Sequence, residues 1–481
     1  MNSGLSPSTR LSWPSGFGSY AKMLSAERCP LSLRGTLRRL CLTGLVLSAS
    51  AVFVGPIPFL SQTVDPLAEM LTSPNIDTRA RAARDIGKGG DRSAVPALAD
   101  ALKDPSEKVR REVVIALGSF REPGALDALL TATRDSDSDV RVLAVQALVG
   151  YYTGQTPSPG FTGFVKKNYE WAKSRFVTDN TRIDPGVSAD PRVISALEAA
   201  MSDTTSIDAA RGAARGLGTL NAPAAVPDLV KSAHSPDENL AREALNALAK
   251  IKDTSAGPGL IDLLDSSNQA VRQDAAVTVG ILRTHDALPK LERMFQNDPD
   301  KKTREAALEG LADLGDPASE PVLIKALWSD NKTFRALGAE GLGRAGDAQA
   351  VPEIEKALSA EKNAEAKLAM QYALTALGKE DYLAALVDGL GSTLHGDSAE
   401  KYLIELSQNP KFLPKLYPFL SSNDSTVRRR LCTVLVFTGD HTSVDPLEHL
   451  SHDKDGEVAS EALRALRAIR SRGATSATAR S

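Results

Sequence analysis

The sequence predicts an all-α fold, an α-solenoid in which helix pairs stack as a superhelix, and three observations carry that prediction. Blocks begin at Val64, Val95 and Leu126, then at Val226, Gly257, Leu288, Glu320, Val351, Tyr382, Leu413 and Val444, so that successive starts within each run lie 31 or 32 residues apart. A fixed period of this size marks a repeat architecture. Within a block, apolar residues recur at spacings of three, four and seven, the signature of an amphipathic helix. Finally, the 481-residue chain is 42% hydrophobic but only 5% aromatic, with Ala and Leu dominating, a balance that favours helices over strands.

The block Val95–Ala125 shows how each element is specified. Val95, Leu98 and Leu102 share one helical face, the polar stretch KDPSEK breaks the chain, and Val109, Val113, Ala116 and Leu117 form a second face that ends at Gly118. Pro96 falls in the first turn of the first helix, where its missing N–H costs nothing. Pro227, Pro289, Pro321, Pro352 and Pro414 take the same place, with Pro66 one residue later in its phrase. Gly118, Gly218 and Gly315 stand near second-helix ends and are expected to adopt left-handed caps.

These phrases resemble HEAT repeats of the short PBS-lyase or EZ HEAT-like type, close to L-x-x-A-L-x-D-x-x-x-x-V-R-x-x-A-x-x-A-L-G. Here they read LADALKDPSEKVRREVVIALG, LIDLLDSSNQAVRQDAAVTVG, LIKALWSDNKTFRALGAEGLG and LYPFLSSNDSTVRRRLCTVLV. The resemblance extends from about Val64 to Arg472 apart from one interruption. It implies a fold; on function it implies a range from scaffolds and adaptors to a few enzymes. Arg110, Arg141, Arg272, Arg304, Arg335 and Arg428 occupy equivalent positions at the start of second helices, joined by Arg79 and Lys367. The resemblance implies that these side chains reach back to carboxylates of the turn between the helices, Asp104 and Asp137 being two such, and stack between repeats. They are therefore assigned to architecture and not to an anionic ligand.

The organisation that follows is a leader at 1–60, repeats at 61–152, an insertion at 153–190, repeats at 191–473 and a disordered tail at 474–481. Arg38 and Arg39 precede an apolar stretch to Leu60, with Ala49-Ser50-Ala51 as a small-x-small site, so residues 37–60 read as a secretory signal or a membrane anchor. The expected location is exported or membrane-anchored, the alternative cytoplasmic. Met23 is an alternative start to Met1. Without Cys29 and Cys41 the chain would keep Cys432 alone, leaving no intramolecular disulfide. Residues 1–60 hold six basic residues against Glu27, which leaves the rest of the chain near −8 within a total of −3. An acidic body argues against a general nucleic-acid binder, which needs a basic stripe.

The interruption YYTGQTPSPGFTGFVKKNYEWAKSRFVTDNTRIDPGVSAD concentrates aromatic residues. Tyr152, Phe161, Phe164, Tyr169, Trp171 and Phe176 are the candidate partner-binding residues, because aromatics carry large contact areas and insertions in repeat proteins emerge on one face. The competing reading is that they bury against the flanking repeats and anchor a loop with a short helix near 163–175. Other motifs carry no chemistry. Gly341–Gly346 matches G-x-G-x-x-G, but no strand precedes it. His449 and His452 share a helical face near His441, yet His452 falls in a polar turn and the group reads as solvated surface. Cys432 stands at a core position, and Arg464, Arg467 and Arg470 give the last helix a polar, basic cap. No catalytic residue, metal or cofactor is assigned. The expected function is a non-catalytic scaffold binding a protein or peptide along an extended concave surface; the resemblance implies, as the alternative, a bilin lyase or isomerase activity.

Overall fold

The computed structural model describes residues 66–156, 183 and 187–478, all within a unit spanning Thr63–Ser481. Among the described residues there is no strand, and the helices fall into twelve pairs. The first is Pro66–Met70 with Ile76–Gly89. Then come Val95–Ala101 with Glu107–Leu117, Pro123–Ala132 with Ser138–Thr153, Pro191–Met201 with Ile207–Thr219, and Val226–Ala233 with Glu238–Ile251. The sixth pair joins the 3-10 segment Thr254–Asp265 to Gln269–Ile281. Leu288–Asn297 with Lys301–Leu314, Glu320–Leu327 with Lys332–Ala345, and Val351–Ala360 with Ala364–Ala376 follow. The last three are Leu383–Gly389 with Gly396–Leu406, Leu413–Leu416 (extended by a 3-10 turn) with Ser425–Thr438, and Val444–Leu450 with Gly456–Thr478. The α-solenoid of stacked helix pairs is thus present. The final helix continues through residues 474–478, which the sequence reading left to a tail.

Local chemistry sets both ends of each helix. Most second helices start on an Asn or Asp whose side chain accepts from backbone N–H groups left open in the first turn: Asn75 from Asp77 at 2.8 Å, Asp137 from Val140 at 3.1 Å, Asp237 from Leu240 at 2.8 Å; those starting after Ser106, Ser206 and His395 have no such cap. Each such cap contributes about 1 kcal/mol. At their far ends Gly90, Gly315 and Gly346 turn left-handed, and the Asp that follows each one caps a 3-10 turn leading into the next first helix. Proline sits in the first turn of those helices as expected.

Two of the three glycines expected to be left-handed caps are not. Gly118 is right-handed, and Gly218 lies inside its helix while Asn221 takes the positive φ. Gly218 is needed for close approach instead, since a Cβ there would come within 2.6 Å of the Cα of Ala247 in the next pair. Gly87, Gly280 and Gly343 meet Ala116, Gly310 and Ala373 in the same way. Second helices therefore touch backbone to backbone, and no pair completes its own core. One continuous set of buried side chains runs from Leu71 to Ile469, the mutual burial on which repeat stacks depend.

The sixth pair departs from the pattern in its first element. Pro258 has a glycine on each side, and the segment winds as a 3-10 helix in which a Cβ on Gly257 would collide with Thr284 Oγ1. Cys432 is fully buried, and burial pushes its thiol up to about 12. At the end of the stack the Arg472 guanidinium donates to the carbonyls of Val436 at 2.6 Å and Gly439 at 2.7 Å, tying the last helix to the pair before it.

Candidate functional site

The repeated arginines form rungs between neighbouring pairs. Arg79 donates from Nε and Nη2 to both carboxylate oxygens of Asp104, at 2.6 and 3.0 Å, while its Nη1 donates to the Ser73 carbonyl at 2.8 Å. Arg110 holds Asp135 at 2.8 Å through each nitrogen, and Arg428 holds Asp453 at 2.8 and 2.9 Å. Arg335 holds Glu361, at 2.6 and 3.0 Å. Arg141 and Arg272 approach Asp203 and Asp298 more loosely, at 3.3 and 3.7 Å. The structural assignment holds but its direction changes. The guanidinium takes carbonyls from its own turn and the carboxylate from the next turn, so Arg110 pairs with Asp135, whereas Asp104 belongs to Arg79 and Asp137 to Arg111. Arg304 keeps only the carbonyl contacts, to Asp298 and Pro299, because Ser329 stands where other rungs have an acid.

Each rung carboxylate also orders the turn it sits in: Asp104 accepts from Ser106 N–H and Asp453 from Asp455 N–H. Arg335 and the backbone N–H groups of Asn363 and Lys362 hold the Glu361 carboxyl down at about 2. The bidentate geometry is the strong form of such pairs. At every rung but Arg304 an anionic ligand would have to displace an acid already in place.

The outward side of the second helices carries a different set of charges. Arg84 pairs with Glu112, Arg215 with Glu243, Arg242 with Asp274, and Arg430 with Glu400. Asp274 is so enclosed that burial raises its carboxyl to about 7 despite Arg242 at 2.6 Å.

One group on this side was not read from the sequence. Arg344, whose side chain is 4% exposed, contacts Glu340, Asp313 and Glu405 at 3.2, 3.2 and 2.8 Å. The Tyr402 hydroxyl donates to Glu340 at 2.7 Å and its ring stacks on Tyr372 at 4.5 Å, with Arg344 5.6 Å from the centre of the Tyr372 ring. Burial opposes the charge on Glu340, yet the cations of Lys401 and Arg344 and the Tyr402 hydrogen bond keep its carboxyl below the ordinary range. Lys401 is itself exposed. The available signal was the tenth block, LGSTLHGDSAEKYLIELSQN, which lacks the basic residue that its neighbours carry as Lys367 and Arg428 and the A-L-G that closes the ninth.

Of the six aromatic candidates, the structure places one. Tyr152 is half-buried near the end of Ser138–Thr153, packs edge-on against Tyr151 at 5.2 Å, and accepts the Asp190 N–H at 2.9 Å. It thereby pins the point where the chain re-enters the stack. Phe161, Phe164, Tyr169, Trp171 and Phe176, and the short helix expected near them, lie outside the described residues, as do residues 37–60. Among the described residues no helix is long and apolar enough to cross a membrane, and no group of three or more His, Cys, Asp or Glu side chains is arranged to hold a metal ion.

Comparison with known proteins bears on this arrangement. A model of HEAT repeats matches residues 64–149, 194–280 and 233–312, and one of the PBS lyase HEAT-like repeat matches 303–327. Deoxyhypusine hydroxylase of Candida albicans is 32% identical over 111 residues, 22% of this chain, and the chain spans about a third (35%) of that relative's length. Among solved structures, the complex of CpcE and CpcF of phycocyanin lyase from Nostoc sp. PCC7120 is 20% identical, covering 58% of this chain and 94% of that one, with a TM-score of 0.33. The karyopherin Kap121p, bound to the extreme C-terminus of the protein phosphatase Cdc14p, is 14% identical over 84% of this chain and 49% of its own, with a TM-score of 0.37. The chain contains HEAT repeats at residues 64–149 and 194–312 and a repeat of the PBS lyase HEAT-like type at residues 303–327.

Proposed function

We propose that the chain is a non-catalytic scaffold that holds a protein or peptide partner along the face of its second helices. The observation that supports this reading is the unbroken succession of second helices from Ile76 to Thr478, whose outward positions carry half-buried Ile115, Gln146, Asn246 and Ile281 and the exposed Phe437. A row of evenly spaced, partly apolar positions on a stiff support suits an extended partner, because little side-chain entropy remains to be lost on docking. The aromatic segment 153–190 is the local determinant in this reading, with Tyr152, Phe161, Phe164, Tyr169, Trp171 and Phe176 as its contacts. Residues 37–60 export or anchor the chain, which puts the partner outside the cytoplasm.

Photo-crosslinking tests the proposal directly. A photoreactive residue placed in turn at Ile115, Ile281 and Phe437 is expected to capture one common partner from native extracts, and replacing residues 153–189 with a short linker to weaken that capture at unchanged helicity. Capture from first-helix positions such as Lys325 in place of these would contradict it, and fractionation of the extract checks the location.

A further inference from the structure

The charged cluster around Arg344 differs from every rung in how far it reaches. Rung partners lie 25 or 26 residues apart, and the pairs Arg84–Glu112, Arg215–Glu243, Arg242–Asp274 and Arg430–Glu400 lie 28 to 32 apart, so each joins adjacent pairs. Arg141 and Arg192 reach 64 and 65 residues to Thr205 and Asp127 only because the insertion lies between adjacent pairs there. Arg344–Glu405 and Tyr402–Glu340 span 61 and 62 residues with no insertion in between. They link the eighth pair to the tenth and pass over the ninth.

The pair they pass over fills the bridge. Tyr372, on the ninth second helix and 2% exposed, lies between the Arg344 guanidinium and the Tyr402 ring. At the joints that follow the first, fourth, sixth and eighth pairs a glycine of one second helix seats against the backbone of the next, as Gly343 does on Ala373. Between Ala364–Ala376 and Gly396–Leu406 that backbone contact is much reduced, and the tenth second helix begins only after the loop through Gly391 and Ser392. At this joint hydrogen-bonded side chains stand where Gly87, Gly218, Gly280 and Gly343 bring backbones together at other joints.

We infer that the joint between the ninth and tenth pairs is a hinge, held closed by a strap of Arg344, Glu405, Tyr402 and Glu340 laid across Tyr372. The physical case is one of stiffness. Interdigitated backbone contacts resist bending because any displacement opens voids, whereas at this joint the resistance falls to a few side-chain hydrogen bonds and ion pairs, each worth little net against water once its groups are released, with Glu405 their partly accessible member. Glu405 is partly accessible, and Lys401 stands exposed beside the strap on the same helix, so the strap can be undone from the solvent side without unfolding either pair. Undoing it frees the last three pairs to swing relative to the first nine and changes the spacing of the second-helix face across the joint.

Distances between two spin labels across the joint test this. Labels are carried by Lys325→Cys and Asn423→Cys, both at exposed positions, in the full chain with Cys29 and Cys41 changed to Ser; buried Cys432 stays unlabelled. The parent protein is expected to give one narrow distance distribution. Glu405→Gln and Tyr402→Phe, separately and together, are expected to broaden it and shift its mean by more than the parent width, at unchanged helicity. Arg110→Gln, which breaks the rung to Asp135 far from both labels, is expected to leave it unchanged. Tyr402→Phe removes a single hydroxyl, so it remains informative if the double variant fails to fold. A distribution identical to the parent in Tyr402→Phe and Glu405→Gln, or an equal broadening in Arg110→Gln, overturns the hinge.

Discussion

Two parts of this molecule solve the same problem, joining one helical pair to the next, in different ways. From Arg79 to Arg141, and again at Arg335 and Arg428, a guanidinium closes its own turn and reaches one carboxylate in the following turn. At Arg344 the guanidinium sits among three carboxylates drawn from the seventh, eighth and tenth pairs. The difference teaches that a rung supplements close backbone packing, while the strap stands in for it. A rung is local and can be lost singly; the strap couples helices that do not touch as neighbours.

The sharpest way to break the contrast is to remove each arginine. Arg344→Leu removes the guanidinium shared by Asp313, Glu340 and Glu405 and leaves buried Glu340 with Lys401 as its remaining cation, and is expected to cost about 3–5 kcal/mol. Arg110→Leu, at a rung, is expected to cost about 1–3 kcal/mol. Denaturant titration of the two variants side by side reads the difference, and equal losses would erase the distinction. Next in size is the packing that the strap replaces. Gly280→Ala would set a Cβ 2.3 Å from the Gly310 carbonyl oxygen, and is expected to lower stability by about 2 kcal/mol with hydrogen exchange accelerated in Gln269–Ile281 and Lys301–Leu314.

Titration separates two kinds of carboxylate. Glu361 is held down at about 2 by Arg335 and backbone N–H groups, below the unfolded value of about 4.3. Its contribution is present above that unfolded value and is lost as pH falls from about 4 through 2. Asp274, raised to about 7 by burial, behaves oppositely: its folded form takes a proton more readily than the unfolded chain. Stability from this group is full below about 4 and declines as pH rises through 7. Asp274→Asn is therefore expected to flatten the pH dependence between 4 and 8, and Glu361→Gln the dependence below 4, each followed by thermal melting across pH. The smallest effect concerns a helix end. Arg283 is exposed at φ 51° where Gly315 and Gly346 serve elsewhere, and Arg283→Gly is expected to raise stability by about 0.5 kcal/mol.

The repeated fold was legible because most pairs are written by short-range chemistry: an Asn or Asp cap, a first-turn proline, an apolar spacing of three and four. The rungs were legible as architecture because their arginines recur in register, but not in their direction, since the sequence of one turn does not say which neighbour supplies the acid. Gly218 was misread for a related reason. A glycine near a helix end serves either a left-handed cap or a close approach, and only the position of Ala247 decides. The strap was invisible because Glu340 and Arg344 read as ordinary outward residues of their helix. Their partners, Tyr402 and Glu405, sit in the one block that drops the repeating phrase.

Hydrogen exchange on Glu405→Ala, read peptide by peptide, tests the long reach of the strap most directly. The account predicts faster exchange in Lys332–Ala345, two pairs away from the substitution, together with Gly396–Leu406, while the helices from Ile76 to Ile281 stay at parent rates. Exchange that quickens only in the tenth pair and the pairs next to it, with Lys332–Ala345 unchanged, would contradict it.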